Sequence, residues 1–386
     1  MRQISQGLSL IPSGLLKKPY DTMRAQDTTE VKATRIHPSR KADFPNHVSG
    51  WLICASVLLL SLMSAGKTLA YPDSLQAHLL IESQQALFND RFDQADSLAE
   101  KLRRIDPDDP GGYFAGAVSL LARMFDYEEE YLVDSFKLWI DRTAALARQR
   151  IDSGVDSHTA AWMYNYVGNA KSYRSLYESR FGSFTGALRG AISARNSFEE
   201  GIDQDSTAYD LYLGLGLYHY WKSAKAGFLR TVGLFKNEMD KGIAELRLAT
   251  DSSLVSCESA RNALIWIWLD REQYDSTITV SREMAQRYSD GKVFLWPLAE
   301  AYYKQKMYDS AATVYERIRD KLLRRPGNFF NLIEVDHKLV TCRDKQDCFD
   351  DARELARRAL EYFDRVPDKI AREKRSEMNF IRRLSK

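Results

Sequence analysis

Along most of the chain, apolar and small residues return every three or four positions, the period that gathers side chains on one face of a helix. Four segments repeat one version of this pattern: an aromatic, a small residue three later, then further small or apolar residues at steps of four and three. They are Arg91–Pro110 (Ala95, Ala99, Leu102), Glu272–Gly291 (Tyr274, Thr277, Ser281, Met284), Lys306–Pro326 (Tyr308, Ala311, Tyr315, Ile318) and Asp347–Pro367 (Phe349, Ala352, Ala356, Ala359). No stretch keeps the two-residue alternation of a half-buried strand. The periodicity predicts helices over 74–88, 92–105, 111–125, 128–152, 157–178, 187–203, 206–222, 238–251, 256–270, 274–288, 292–305, 308–323, 329–342 and 349–364, with a basic tail helix over 367–384. Asp156, Asp205 and Asp251 each precede a serine and an apolar-periodic run, which marks them as helix caps.

The four segments resemble the second helix of the tetratricopeptide repeat (TPR). Their partners resemble its first helix in part, through Leu298, Ala299 and Tyr302, through Tyr164, Val167 and Gly168, and through Tyr212, Leu215 and Gly216. The resemblance covers most of residues 75–365. It implies an all-α fold, a right-handed α-solenoid of TPR-like antiparallel helix pairs, because each pair buries its apolar face only by stacking on neighbours. Ala95, Gly168, Gly216, Ala299, Ala311 and Ala352 take the small-residue places where helices cross. The sequence departs from the family's pattern in places. Glu82 and Ser83 stand where an apolar residue and a glycine are usual, and the repeat-ending proline, present at Pro107, Pro326 and Pro367, is missing in the middle. The steps from Gly168 to Ala191 and from Gly216 to Gly242 are about twice the usual length. Tyr177–Gly186 and Lys222–Glu238 are therefore expected as inserted or lengthened connections. The run from Tyr209 to Ala249 also resembles a divergent eukaryotic TPR-like family linked to inclusion-body and lipid-droplet clearance.

The first seventy residues follow another pattern. Trp51–Met63 is uncharged and mostly apolar, too short for a span but suited to a signal-peptide core, with Arg40 and Lys41 upstream. Thr68 and Ala70 place small side chains at the two positions that a signal peptidase reads. Residues 51–70 are thus expected as a signal peptide cleaved after Ala70, leaving 71–366 as the helical repeat domain and 367–386 as a basic tail. The alternative is an uncleaved anchor over 51–66. Residues 1–50 are polar and aperiodic, expected as a disordered extension or as sequence upstream of the true start, for which Met23 is one candidate.

Charge refines the picture. The first seventy residues hold nine of the 55 basic and four of the 53 acidic side chains, which leaves 46 against 49 in the remainder. A near-neutral chain without a clustered basic excess is not a nucleic-acid binder. The mixed segment Lys222–Lys236, with Lys222, Lys225, Arg230 and Lys236 among Phe228, Leu229, Val232, Leu234 and Phe235, suits either a peripheral membrane contact or a loop covering a helix edge.

Candidate chemistry is sparse. Gly214 and Gly216 open a glycine pattern, but His219 stands where a dinucleotide loop needs its third glycine. The six histidines are scattered, with no pair at metal spacing, and no nucleophile or phosphate-loop motif occurs. His219, flanked by Tyr218, Tyr220 and Trp221, reads either as a general base in an aromatic pocket or as a packed helical histidine. The sequence thus points to no enzyme activity, no catalytic residues, no cofactor and no metal. Among the cysteines, Cys342 and Cys348 flank a five-residue turn where a disulfide would close a small loop in an oxidising compartment, or remain as two free thiols; Cys257 reads as a buried apolar residue.

The expected function is that of an exported, periplasmic or extracellular scaffold binding a protein or peptide. TPR stacks present the first helix of each pair on a concave face, which makes Asn165, Asn169, Tyr173, Tyr303 and Lys304 the candidate binding residues. The alternatives are a membrane-associated TPR protein, or a helical protein with a small-ligand or enzymatic site near the central repeats.

Overall fold

The computed structural model describes residues 71–225 and 236–386. Within them the chain is helical throughout and forms an all-α solenoid of antiparallel pairs. The first pair is α1 (Ser74–Phe88) and α2 (Phe92–Ile105), the second α3 (Pro110–Tyr127) and α4 (Val133–Asp152), the third α5 (Ser157–Phe181) and α6 (Phe184–Gln204). The fourth is α7 (Leu211–Lys225) and α8 (Met239–Ser252), the fifth α9 (Cys257–Asp270) and α10 (Tyr274–Arg287). The sixth is α11 (Leu295–Lys304) and α12 (Tyr308–Leu323), the seventh α13 (Phe329–Asp344) and α14 (Phe349–Leu360). A 3-10 turn (Phe363–Arg365) leads to α15 (Asp368–Glu373) and α16 (Arg375–Leu384), and α16 packs on the last pair.

Local chemistry explains many boundaries. Asp73 accepts from the Gln76 amide while the Gln76 side chain accepts from the Asp73 amide, a reciprocal cap that starts α1. Asp109 and Pro110 start α3, and Asp156 starts α5. The turn inside five of the pairs uses a non-glycine residue in the left-handed region: Asp90, Glu128, Glu272, Lys306 and Asp347, with φ between 56° and 62°. One backbone solution thus recurs in the first, second, fifth, sixth and seventh pairs. The third pair departs from it and turns through Gly182 and Ser183.

Three expectations need correction. Tyr177–Gly186 is not an insertion: α5 and α6 extend into it, to 25 and 21 residues, because Tyr177 is buried and Ser183 caps α6 through the Gly186 amide. Asp205 and Asp251 do not cap the helices that follow them; Asp205 instead closes α6, its amide donating to the Gly201 carbonyl. Asp205 holds a turn through the Thr207 amide and hydroxyl, so α7 starts later than expected, while Asp251 lies in the last turn of α8. The tail is not one helix either, because it breaks at Lys374, whose side chain turns inward to Glu334. The Lys222–Glu238 connection lies partly outside the described residues.

The core runs between the pairs, and where helices cross the backbones are nearly in contact. A methyl group on Gly216 would stand 2.8 Å from the Gly242 carbonyl oxygen and 2.7 Å from the Leu246 side chain. The Phe198 ring of α6 occupies the space beside both Gly168 of α5 and Gly214 of α7, where an added methyl would fall within 2.4 and 2.2 Å of it. Gly214 therefore admits the Phe198 ring. Ala95, Ala299 and Ala311 have no exposed surface, and Ala352 has 2%.

The superhelix is tight enough to meet itself. The turn after α1 rests on the segment before α11, and the end of α3 rests on the start of α13. The turn of the first pair thus meets the segment leading into the sixth, and the end of α3 meets the start of the seventh. Phe88 forms an aromatic cluster with Tyr288 and Phe294, at centroid distances of 5.2 Å to each. Beside it, Lys292 is 6% exposed and reaches Asp90 at 2.8 Å and Asp126 at 2.9 Å. Arg91 pairs with Asp290, Arg325 donates to the Asp90 carbonyl, and Asn328 and Asn331 donate to the Asp126 carbonyl.

Candidate functional site

In an open solenoid the inner positions of the first helices face solvent. Here the candidate positions on α5 are buried or half-buried. Asn165 is 5% exposed and accepts from the Asn169 side chain at 2.9 Å. Tyr173 packs edge-on against Phe114, and burial pushes its phenol up to about 12. Trp162, Trp221 and Trp266 are all buried. Of the candidate residues of α5, Asn165 is buried, whereas Asn169 and Tyr173 are half-buried.

The two candidates of α11 divide. Tyr303 is half-buried, with Tyr308 edge-on at 5.7 Å and the Lys338 ammonium 4.9 Å from its ring centroid. Lys338 itself is buried and paired with Glu300 at 2.5 Å, and Glu300 also accepts from the Tyr315 hydroxyl. Lys304 is exposed.

Next to this network, α13 carries two further buried charges. Glu334 receives Lys374 from the tail at 2.7 Å, and Asp336 receives Arg319 at 2.6 Å and the Tyr362 hydroxyl at 2.9 Å. Lys374 also lies 4.0 Å from the Phe330 ring centroid, with Arg180 of α5 at 5.6 Å from the same ring. Cation–π contact and ion pairing together let a lysine stand at 2% exposure. Glu334, Asp336 and Lys338 read in sequence as ordinary polar helix positions, and nothing local marks them as interior.

His219 is 3% exposed. Its Nδ1 lies 2.6 Å from Glu245 on α8, and Lys241 Nζ lies 3.3 Å from Nε2. Both ring nitrogens are engaged by α8, so the residue ties α7 to α8, and the general-base reading finds no free nitrogen. At the other end of α7, Asp210 accepts from the amides of Leu254, Val255 and Ser256, fastening the turn before α9 to the start of α7.

Cys342 and Cys348 are free thiols in this structure, the second of the two alternatives. Helical period turns Cys342 into the core, where burial pushes its thiol up to about 12, while Cys348 sits exposed at the start of α14. Cys257 is half-buried and touches the Thr250 carbonyl.

The accessible apolar surface lies elsewhere. Phe184, Leu188 and Ile192 are 49%, 49% and 41% exposed and repeat every four residues along α6, with Arg189 exposed among them. Four-residue spacing sets them in one row on the outer face. A strict apolar row on a helix already paired on its other side was legible in the sequence, but Tyr177–Gly186 was read there as a loop. Among the described residues no helix is long and apolar enough to cross a membrane.

No protein-family model matches the sequence. No curated protein matches it either. Among solved structures the chain is similar to the crystal structure of yeast Tom70, at 11% identity and a TM-score of 0.29, over 78% of this chain and 87% of that one.

Proposed function

We propose that this chain is an exported, non-catalytic scaffold that binds another protein through the outer face of its third helix pair. The observation that carries the reading is the row Phe184, Leu188 and Ile192, three large apolar side chains left exposed in line on one helix. Such a row suits an apolar partner surface, most simply the face of a partner helix. Export rests on the apolar core and small residues of 51–70, and the absence of catalysis on the lack of any nucleophile, metal or phosphate motif in the sequence.

The test is capture of a partner from cell-envelope extract by the purified chain and by variants Leu188→Asp and Ile192→Asp. A protein retained by the wild type and lost by both variants supports the reading. Equal retention by all three, or retention of nothing, overturns it.

A further inference from the structure

Where the superhelix meets itself, covered carboxylates outnumber the cation between them. The Lys292 ammonium, from the segment before α11, lies 2.8 Å from Asp90 Oδ2 in the turn of the first pair and 2.9 Å from Asp126 Oδ1 at the end of α3. The side chains of Lys292, Asp90 and Asp126 are 7%, 13% and 9% exposed. Asp126 Oδ1 also accepts from the Asn328 side chain at 3.2 Å, whereas its Oδ2 is buried with no hydrogen-bond donor among the described residues. One ammonium therefore serves two carboxylates, and one carboxylate oxygen is left bare.

The other charges around the contact are turned elsewhere. Arg325 donates to the Asp90 carbonyl oxygen and lies 5.1 Å from the Phe92 ring centroid. Lys321 donates to the carbonyls of Ser289 and Asp290, and Arg324 is exposed. Arg91 pairs with Asp290 on the surface, and Arg123 pairs with Asp93 and Asp96.

We propose that this contact is a proton-binding latch: the Asp90 carboxyl takes up a proton as the superhelix closes on itself, so closure is favoured in mild acid and weakens toward neutral pH. A proton on Asp90 leaves one carboxylate facing one ammonium, and a covered site tolerates a matched pair better than an unmatched charge. The titration of Asp90 runs in the same direction. Burial raises its carboxyl above the usual aspartate value, the neighbouring Asp126 charge adds to this, and Lys292 and Arg325 offset it only in part. When the turns separate, water returns to Asp90 and its carboxyl falls back toward the ordinary value. The closed form thus holds the proton more tightly than the open form. By linkage it gains on the open form as pH falls through the raised value, and the gain is complete below the ordinary value of about 4. Asp290, held below its usual value by Arg91, acts in the opposite sense, and only in stronger acid.

The test is hydrogen exchange of the full chain between about pH 7.5 and about pH 4.5, read by mass spectrometry on residues 86–92 and 288–296, with each rate divided by its intrinsic rate at that pH. Protection of both segments in the wild type is expected to rise by at least about threefold toward acid. Asp90→Asn puts a neutral group of the same shape in place of the carboxyl, and asparagine accepts the left-handed backbone there, at φ 57°. This variant is expected to be at least as protected as the wild type at neutral pH, and to change little with pH. Asp290→Asn removes an exposed carboxylate of the same contact and is expected to keep the wild-type profile. Wild-type protection that stays flat or falls toward acid overturns the proposal. So does an Asp90→Asn chain that is less protected than the wild type at neutral pH or does not fold, since Asp90 would then be an ordinary ion-pair partner. A pH dependence that survives in Asp90→Asn, or vanishes in Asp290→Asn, places the proton elsewhere and also overturns it.

Discussion

Gly216 and Gly242 face each other where α7 crosses α8. A methyl group on Gly216 would stand 2.8 Å from the Gly242 carbonyl oxygen, and one on Gly242 would stand 2.6 Å from that of Gly216. The contact is backbone on backbone, so neither side can give way by turning a side chain. Gly216→Leu is expected to destabilise the fold by at least about 1–3 kcal/mol through overpacking. Thermal unfolding followed by circular dichroism checks this, and an unchanged melting temperature would show that the crossing is looser than described.

The contact of Lys292 with Asp90 and Asp126 holds the first two pairs on the sixth and seventh. Burial disfavours its ammonium, but the two carboxylates outweigh that and raise its pKa. Lys292→Met leaves both acids without their cation in a covered site, which costs about 3–5 kcal/mol. Chemical denaturation measures the loss, and small-angle scattering of the variant is expected to show a larger radius of gyration as the turns separate. A compact variant of wild-type stability would mean that the aromatic cluster of Phe88, Tyr288 and Phe294 suffices.

The pair Glu334 and Lys374 predicts a dependence on acid. Burial alone would raise the Glu334 carboxyl, but the ammonium groups of Lys374 and Lys338 outweigh it and hold it below the usual glutamate value. A carboxyl held lower in the folded than in the unfolded chain stabilises the fold above its unfolded value, and that stability is lost as pH falls through the folded value. Glu334→Gln is therefore expected to cost at least about 1 kcal/mol at neutral pH and progressively less below about pH 4.5. Urea unfolding of both proteins across that range gives the comparison, and a penalty independent of pH would reject the ion pair as its cause.

Thiol reactivity should separate the cysteines. Cys348 is exposed, whereas Cys342 has no exposed surface and a thiol pushed up by burial to about 12. Alkylation of the native reduced protein at neutral pH is expected to modify Cys348 quickly, and Cys342 only after denaturant is added. Mass spectrometry of peptides reads the order, and equal labelling of both in the native state would contradict the packing of α13.

The three-and-four spacing of apolar residues was enough to place the helices, and the recurring series of aromatic and small residues was enough to pair them, because both depend on neighbours a few residues away. Ala95, Ala299, Ala311 and Ala352 were legible for that reason: a small residue on an apolar face is a local signal of close crossing. The superhelical contact was not legible. Asp90 and Lys292 are 202 residues apart, each in a polar turn that reads as solvent-exposed. Whether a turn residue meets water or a buried cation depends on how far each pair rotates on the last, and small rotations add up over five pairs before the chain meets itself. The helical positions of Asn165, Asn169 and Tyr173 were readable, but the packing of Tyr173 against Phe114 of α3, 59 residues earlier in the chain, was not. Sequence alone determined a stack of helix pairs; tertiary structure decided that the stack closes inward and leaves its apolar row on the outer face of α6.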